Sequence, residues 1–134
     1  MIELGDEKVL YAFDKELEPA LVVPSGTTVR VRTKDCFGNQ VQRPEEIDWD
    51  HINPATGPIF VEGAVPGGAL KVTIEAIEFD GQTASCTGEG EGVCGDRFDA
   101  WSTHLCKIDG DELVWDEELR IPLRPMIGVI GVAP

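Results

Sequence analysis

The sequence has few basic residues, few histidines and no long apolar run. Its 134 residues include 11 Lys and Arg against 25 Asp and Glu, which gives a formal net charge of -14. Nucleic acids and anionic membrane surfaces bind basic faces, so the sequence predicts neither as a partner. No apolar run approaches the roughly 20 residues of a membrane-spanning helix, and the acidic start of the chain lacks the apolar core of a signal peptide. These absences predict a cytoplasmic protein.

Common catalytic and metal-binding motifs are also absent. The sequence contains neither G-x-S-x-G nor H-E-x-x-H, and its only histidines are His51 and His104. None of the four cysteines lies in a C-x-x-C pair, which argues against a structural zinc knuckle. Free thiols are predicted for a cytosolic chain, with a bridge between Cys86 and Cys94 as the alternative.

The pattern that is present is that of short β-strands. Hydrophobic residues make up 42% of the chain and charged residues 27%, as in a globular protein. Residues 27–33 alternate between apolar and polar side chains, and residues 59–61 form a short apolar run. Residues 70–79 alternate again. The alternation shifts by one residue near residues 76–77, which predicts a β-bulge. The turn signal Val65-Pro-Gly-Gly68 precedes the last of these strands.

The remaining segments complete an all-β prediction, because helical periodicity is poor throughout. We predict weak opening strands in residues 1–13, one helical turn in residues 45–50, a glycine-rich loop over residues 81–95, and two short strands around the acidic turn Asp116-Glu-Glu118. The predicted fold is a sandwich or barrel-like single domain over residues 1–134, with short, mostly antiparallel strands and long loops.

The last apolar segment, residues 126–132, is unusual for a chain terminus. An apolar strand must pair and be covered. The sequence therefore predicts either a central strand of this domain or a contact within a larger assembly.

Candidate functional residues lie where predicted strands end. Asp35 follows the strand of residues 27–33, so its carboxylate either faces a ligand or bonds its own backbone in a turn. Asn39 lies in the same loop and is a candidate for substrate binding. Glu62 is either a second catalytic carboxylate near Asp35 or the exposed residue of a half-buried strand.

The segment Asn53-Pro-Ala-Thr-Gly-Pro58 offers a carboxamide and a hydroxyl. Asn53 and Thr56 could orient a small polar substrate, although an Asx-type turn is the favoured interpretation. His51 is a candidate base or metal ligand, with a solvated loop histidine as the alternative. The acidic residues Glu45, Glu46, Asp48 and Asp50 match no EF-hand spacing, so a solvated acidic face is favoured over a calcium site.

Four blocks of this sequence resemble the N-terminal part of the acetamidase/formamidase family. They are Asp35-Cys-Phe-Gly-Asn-Gln40, Asn53-Pro-Ala-Thr-Gly-Pro-Ile-Phe-Val-Glu-Gly-Ala64, Pro66-Gly67 with the alternating strand after it, and Pro122-Leu-Arg-Pro-Met-Ile-Gly-Val-Ile-Gly-Val-Ala-Pro134. The resemblance runs from about Leu21 to Pro134 and is weaker over residues 86–105. One departure is Gly68, where the family often has Asp.

The resemblance implies a mainly β, usually oligomeric enzyme of roughly twice this length that hydrolyses short carboxamides to a carboxylate and ammonia. Asp35, Asn53 and Glu62 are the positions that carry over as pocket residues. The family's later His-Gly-Gly-Asn stretch and acidic, His-containing motif have no counterpart up to Pro134. We therefore expect this chain to supply part of an active site, completed by a C-terminal partner segment, in a homo-oligomer or with that partner.

Amide hydrolysis needs an activated water, stabilisation of the oxyanion and protonation of the leaving ammonia. A divalent metal, zinc or calcium, could supply the first two, with Asp35 and His51 as its ligands from this chain. Asparagine is a poor zinc ligand, so Asn53 is better suited to holding the substrate. The alternative function is a non-catalytic β domain that associates with a partner through its apolar last strand.

Overall fold

The structure, a computed structural model, describes residues 1–41, 47–79 and 81–134. It divides into two compact units. Unit 1 comprises Met1–Asn39, Trp49–Ile74 and Ile127–Pro134, and unit 2 comprises Gln40–Asp48 and Glu75–Met126. The predicted all-β class is confirmed, since the only helical segments in the described ranges are 3-10 turns at Trp49–His51 and Gly95–Arg97. No helix of the described residues is long and apolar enough to cross a membrane.

Unit 1 contains six short strands that pair two by two. They are β1 (Ile2–Leu4), β2 (Val9–Leu10), β3 (Leu21–Pro24), β4 (Val29–Val31), β5 (Ala55–Thr56) and β6 (Ile59–Glu62). β1 pairs with β4 and β3 with β6, both in parallel, whereas β2 pairs with β5 in the antiparallel sense. Each parallel pair joins segments that are far apart in the sequence, so unit 1 depends on long-range pairing.

The β3–β6 pair carries the apolar centre of unit 1. Both strands are rich in β-branched residues, which favour extended backbone. Val23 in β3 is only 4% exposed and lies in register with Val61. Pro24 then starts the turn that leads to β4, in which the amide and hydroxyl of Thr27 both donate to the Pro24 carbonyl. The alternation in residues 27–33 thus correctly predicted a strand, although β4 is shorter than that range.

The long strand predicted for residues 70–79 is wrong. The tight turn before it is present: the Gly68 amide donates to the Val65 carbonyl over 3.0 Å, and Gly67 has a φ of 79°, as a type II turn requires. After the turn, however, residues 70–79 pair with no strand of the described chain, and so the predicted bulge is absent as well. Alternation marks two faces of a segment but does not supply the neighbouring strand that a ladder needs.

The apolar residues 126–132 do not form a central strand in the described chain either. Ile130 is 61% exposed and Val132 is 69% exposed. Gly131 lies against the ring of Phe13, so closely that a Cβ there would be 2.7 Å from the ring. This segment therefore contacts Phe13 at Gly131, while the side chains of Ile130 and Val132 are exposed.

Unit 2 is built on a four-stranded antiparallel sheet in the order β10-β9-β8-β7. Its strands are β7 (Gln82–Thr87), β8 (Ser102–Asp109), β9 (Glu112–Val114) and β10 (Arg120–Pro122). The two strands predicted around the acidic turn are confirmed as β9 and β10. The loop predicted over residues 81–95 is wrong in its first half, because β7 occupies it and pairs with β8 along its whole length.

Tight turns fix the register of this meander. Gly110 has a φ of 60° at the first position of the two-residue β8–β9 loop, a conformation that glycine adopts without strain. β10 forms one edge of the sheet and ends at Pro122, which has no amide hydrogen to offer. Arg120 in β10 forms ion pairs with Asp109 and Glu112 at 3.0 and 3.2 Å, but these groups are about half exposed or more, so the pairs stabilise little.

Few apolar side chains are buried in the described residues. Only Val23, Val41, Ile47 and Cys106 are, at 4%, 6%, 7% and 2% exposure. The predicted helical turn falls partly on Glu45 and Glu46, which lie outside the described residues.

Candidate functional site

The loop after β4 is closed by two side chains that bond each other's backbone. The Asp35 Oδ1 atom accepts hydrogen bonds from the amides of Phe37 (3.0 Å) and Asn39 (2.6 Å). In return, the Asn39 Oδ1 atom accepts a hydrogen bond from the Asp35 amide at 3.0 Å. Asn39 has a φ of 65°, a left-handed conformation that Asn tolerates better than most residues. The carboxylate of Asp35 is thus held in one orientation, with Oδ1 occupied by the turn.

The Asn53 loop is attached to this turn through the backbone. The amide of Asn53 donates to the Cys36 carbonyl over 2.6 Å, and Asn53 also has a left-handed φ, of 55°. Its exposed side chain forms no hydrogen bond with any described residue. A backbone bond therefore joins the loop of Asp35 and Asn39 to the loop of Asn53.

Thr56 lies in β5 on the far side of the same loop. Its hydroxyl donates to the Arg32 carbonyl, one residue beyond β4, over 2.9 Å. This bond ties β5 to the strand that leads into the Asp35 turn. Thr56 therefore has a structural bond, and its role in substrate binding stays a prediction.

A small cavity of about 50 Å³ lies beside Asn53 in unit 1. Tyr11, Phe13 and Val129 are among its other lining residues, and its walls are mostly apolar. A water molecule occupies about 30 Å³ in the liquid, so a cavity of this size suits only very small solutes. A larger cavity of about 280 Å³ lies nearby between β2 and the Gly57-Pro58 segment, and none of the predicted site residues lines it.

The other two predicted site residues lie elsewhere in unit 1. His51 ends the 3-10 turn and places its ring edge-on against Tyr11, with centroids 4.9 Å apart. Glu62 is the exposed last residue of β6, in register with Pro24 of β3. Among the described residues, no hydrogen bond or ion pair joins Glu62 to Asp35. The roles of His51 and Glu62 stay predictions.

The described part of the chain does not provide a complete metal-binding set. No three His, Cys, Asp or Glu side chains among its residues lie close enough together to hold an ion. A catalytic zinc site takes three protein ligands and calcium takes six to eight oxygens. Of the acidic cluster, Glu45 and Glu46 lie outside the described residues. The divalent metal at Asp35 and His51 stays a prediction that needs further ligands.

Unit 2 contains a polar cluster that the sequence did not indicate. His104 in β8 stacks on Trp115 with ring centroids 4.3 Å apart, and its Nε2 atom lies 2.7 Å from the Trp115 carbonyl. A carbonyl only accepts, so Nε2 is the protonated nitrogen. The amides of Glu118 and Leu119 donate to Asp116 Oδ1, and with the nearby His104 they lower the pKa of Asp116.

The four cysteines are all free, so the alternative Cys86–Cys94 bridge is wrong. Cys86 lies 3.4 Å from the Thr103 hydroxyl across the β7–β8 pair. Cys106 is buried, and desolvation raises the pKa of its thiol. A thiol with a raised pKa is a poor nucleophile at neutral pH, which argues against Cys106 as a catalytic residue.

Sequence reasoning missed the residues that line the small cavity. Tyr11 and Phe13 were assigned to an opening strand, and Val129 was assigned to the apolar terminal segment. Their convergence on Asn53 depends on long-range packing, for which the sequence has no local signal.

The sequence model and the solved structures that match this chain are all described as acetamidases or acetamidase/formamidases. The sequence model described as "Acetamidase/Formamidase family" matches residues 4–134. Among solved structures, the acetamidase of Bacillus halodurans has a TM-score of 0.92 and 42% identity. A predicted acetamidase/formamidase of Thermoanaerobacter tengcongensis has a TM-score of 0.91 and 44% identity. An acetamidase of Yersinia enterocolitica, at 18% identity and a TM-score of 0.72, shows the fold alone.

The matched part is less than half of each relative. Each match covers 99% of this chain, but only 46% of the Bacillus and Thermoanaerobacter chains and 47% of the Yersinia chain. No curated protein gives a significant match. The chain thus spans about half the length of the solved structures that it resembles.

Proposed function

Because the chain belongs to the Acetamidase/Formamidase family, we propose that it supplies part of the active site of an amidohydrolase. The substrates are short linear carboxamides of the formamide or acetamide type, and ammonia is released. The observation that carries this assignment to particular residues is the 2.6 Å bond from the Asn53 amide to the Cys36 carbonyl. It joins the loop that carries the Asp35 carboxylate to the loop that carries the Asn53 carboxamide.

Asp35 is the proposed general base. Its Oδ1 atom is held by two amides, so Oδ2 is the oxygen that can accept a proton from a water molecule. A base that is already fixed by hydrogen bonds does not have to be ordered during the reaction, which favours the productive geometry. Glu62 remains the second candidate carboxylate, for the protonation of leaving ammonia.

Asn53 is the proposed substrate-binding residue. Its carboxamide makes no hydrogen bond with a described residue, and it can both donate to the substrate oxygen and accept from the substrate NH2 group. The cavity beside it, of about 50 Å³, favours amides with few heavy atoms over long-chain amides. The Asn39 carboxamide is engaged with the Asp35 amide, so Asn39 acts by holding the base, while Thr56 can still accept a hydrogen bond at its oxygen.

The predicted metal enters no step of this proposal, because the described residues do not fit a complete ligand set. His51 and Asp35 would be its ligands from this chain, and other chain segments would have to add the rest. The cytoplasmic location is likewise part of the proposal, supported by four cysteines without a bridge.

Ammonia release from formamide and acetamide tests the proposal. The chain is assayed alone and together with the C-terminal half of the Bacillus halodurans protein, produced as a separate polypeptide. Asp35→Ala should lower kcat at least 100-fold, and Asn53→Gly should raise KM while the left-handed backbone is kept.

Asp14→Ala is the matched control for the base. Asp14 is also an exposed aspartate of unit 1 whose Oδ1 accepts an amide, that of Glu16 at 2.9 Å. Its replacement should leave ammonia release unchanged. Activity that survives Asp35→Ala would reject the role of Asp35, and no ammonia release from either amide by any combination would reject the proposed reaction.

A second candidate function is a non-catalytic β domain that associates through residues 126–132. The exposure of Met126, Ile130 and Val132, at 73%, 61% and 69%, favours it. Size-exclusion chromatography with light scattering at high concentration measures this directly. A clean monomer would count against association between copies of this chain.

A further inference from the structure

The side chain of Tyr11 lies next to two of the predicted site residues. Its ring is edge-on to that of His51, with ring centroids 4.9 Å apart and an angle of 74° between the ring planes. The same side chain lines the small cavity beside Asn53. Tyr11 therefore contacts His51 and also forms part of the wall beside Asn53, two positions that were selected separately from the sequence.

The hydroxyl of Tyr11 makes no hydrogen bond with any described residue. The residue is 47% exposed, so a ligand can reach it. A phenol can both donate and accept a hydrogen bond. Of the side chains that line the small cavity, all except those of Tyr11 and Asn53 are hydrocarbon. A polar ligand in this cavity therefore meets two side chains that can bond it, and neither is bonded to a described residue.

The proposed reaction needs a hydrogen-bond donor that has no residue yet. When water adds to an amide, the carbonyl oxygen gains the electron pair of the π bond and becomes an oxyanion. Donors placed at that oxygen make one of the largest contributions to catalysis, and in a water-excluded site a single donor accounts for about 10²–10³-fold in rate. Ionised Asp35 and Glu62 can only accept, whereas Asn53 supplies one donor. A second donor beside Asn53 would complete the contacts of this oxygen.

We propose that the Tyr11 hydroxyl donates a hydrogen bond to the carbonyl oxygen of the amide substrate and stabilises the oxyanion that forms there. This inference rests on the proposed function, in which Asp35 takes a proton from the attacking water. The water oxygen bonds to the carbonyl carbon, the π pair moves onto the carbonyl oxygen, and the phenol proton stays on Tyr11. When the oxyanion collapses, the C–N bond breaks and the nitrogen leaves as ammonia with a proton from Glu62. The proton on Asp35 returns to solvent, from which Glu62 is protonated again.

His51 is the positioning residue for this hydroxyl. Edge-to-face ring pairs prefer centroid separations of roughly 4.5–7 Å, and the contact between His51 and Tyr11 falls in that range. A ring contact restricts the plane of the Tyr11 ring and leaves the hydroxyl, at the end of the ring, available to the substrate.

Tyr11→Phe tests the hydroxyl directly, because phenylalanine keeps the ring and its contact with His51. Ammonia release from acetamide is measured with the same combinations of polypeptides as in the test of the proposed function. We expect kcat to fall at least 10-fold, less than the full range for an enclosed donor because Tyr11 is half exposed. KM should change less than 3-fold, since the hydroxyl bonds the oxyanion more strongly than the ground-state carbonyl. A residue that only supports the fold would not produce this difference between kcat and KM.

Thr73→Val is the matched control for the loss of a hydroxyl. Thr73 is an exposed residue of unit 1 that belongs to neither the cavity nor the proposed catalytic residues. Its replacement should leave ammonia release unchanged. The unfolding of both variants in urea is compared with that of the unchanged chain, and we expect the same midpoint for all three.

A measurement that does not depend on activity follows Tyr11 itself. Tyr11 is the only tyrosine of the chain, so labelling this chain with 13C-tyrosine gives one ring signal. As acetamide is added, the Cζ resonance of Tyr11 should shift and should saturate at the same concentration as the side-chain amide signals of Asn53.

Two results would overturn the inference. One is ammonia release by Tyr11→Phe at the rate of the unchanged chain, and the other is a Tyr11 resonance that does not move when acetamide is added. The proposed function is judged separately. A Tyr11 resonance that shifts with acetamide, without ammonia release from any combination, contradicts the hydrolysis and leaves Tyr11 as a residue that binds the amide.

Discussion

Asp35 accepts a hydrogen bond from the Asn39 amide at 2.6 Å, and Asn39 in turn accepts one from the Asp35 amide at 3.0 Å. This reciprocal pair closes the loop after β4 and fixes the proposed base. Its cost is a left-handed backbone at Asn39, with a φ of 65°. Substitutions of Asn39 can therefore separate two effects. One is the loss of its hydrogen bond to the Asp35 amide, and the other is the backbone strain that any side chain with a β-carbon meets at this φ.

Asn39→Ala should be less stable than Asn39→Gly. Both variants lose the bond to the Asp35 amide, but only alanine meets the left-handed strain of about 1–2 kcal/mol. We expect a difference of about 1 kcal/mol between their free energies of unfolding, measured by urea denaturation. Equal stability of the two variants would show that the loop relaxes out of this conformation.

Thr56→Val should destabilise unit 1 by about 1 kcal/mol, because the Arg32 carbonyl loses its donor. Thr56→Ser retains the hydroxyl and should recover most of that loss. Thermal or chemical unfolding of the two variants measures the difference. If serine were as destabilising as valine, the methyl group of Thr56 would matter and the 2.9 Å bond would not.

Asp116 should contribute stability that is lost in acid. The amides of Glu118 and Leu119 and the nearby His104 lower the pKa of Asp116 in the folded chain. The charged form therefore stabilises the fold above the unfolded pKa of about 3.9, and that contribution disappears as the pH falls through the lower, folded pKa.

Asp116→Asn should accordingly flatten the decline of unfolding free energy between about pH 5 and about pH 2. Asparagine can still accept the two amides, so the variant removes the charge and keeps the bonds. Glu117→Gln, at the neighbouring exposed position, is the control. An unchanged pH slope in Asp116→Asn would place the acid sensitivity elsewhere.

Cys106 should react with iodoacetamide far more slowly than Cys94. Cys94 is exposed, whereas Cys106 is 2% exposed and burial raises the pKa of its thiol. Both factors lower the concentration of reachable thiolate. Mass spectrometry of peptides after timed alkylation measures the two rates. Similar rates would mean that β8 opens often enough to expose Cys106.

Strand positions could be predicted from the sequence where a segment carries its own apolar face. Val29 and Val31 indicated β4, Ile59 and Val61 indicated β6, and the acidic turn at Asp116 indicated the β9–β10 hairpin. These signals are local, because side-chain alternation and turn residues act over a few positions.

Pairing was less predictable than strand position. Nothing in residues 2–4 indicates that they join β4 in parallel, because that choice depends on packing across more than twenty residues. β7 was interpreted as loop because residues 81–95 are rich in glycine and acidic residues, yet its pairing with β8 along the whole length of β7 makes it a strand. Residues 70–79 show the converse, since a strong pattern forms no ladder without a neighbour.

The sequence indicated some residues of the candidate site and missed others. Asp35 was selected because it follows a predicted strand, and Asn53 because its loop offers a carboxamide. The structure joins these two loops through the bond from the Asn53 amide to the Cys36 carbonyl. The family resemblance is confirmed over residues 4–134. Tyr11, Phe13 and Val129 could not be selected in this way, because their shared cavity arises from tertiary packing.

Pro122 makes the two edges of the unit 2 sheet unequal as sites at which another strand could pair. β10 offers no amide at Pro122, so an incoming strand finds a broken row of donors at that edge, while β7 at the other edge is six residues long. The β7 edge therefore offers a longer, uninterrupted row of backbone groups than the β10 edge.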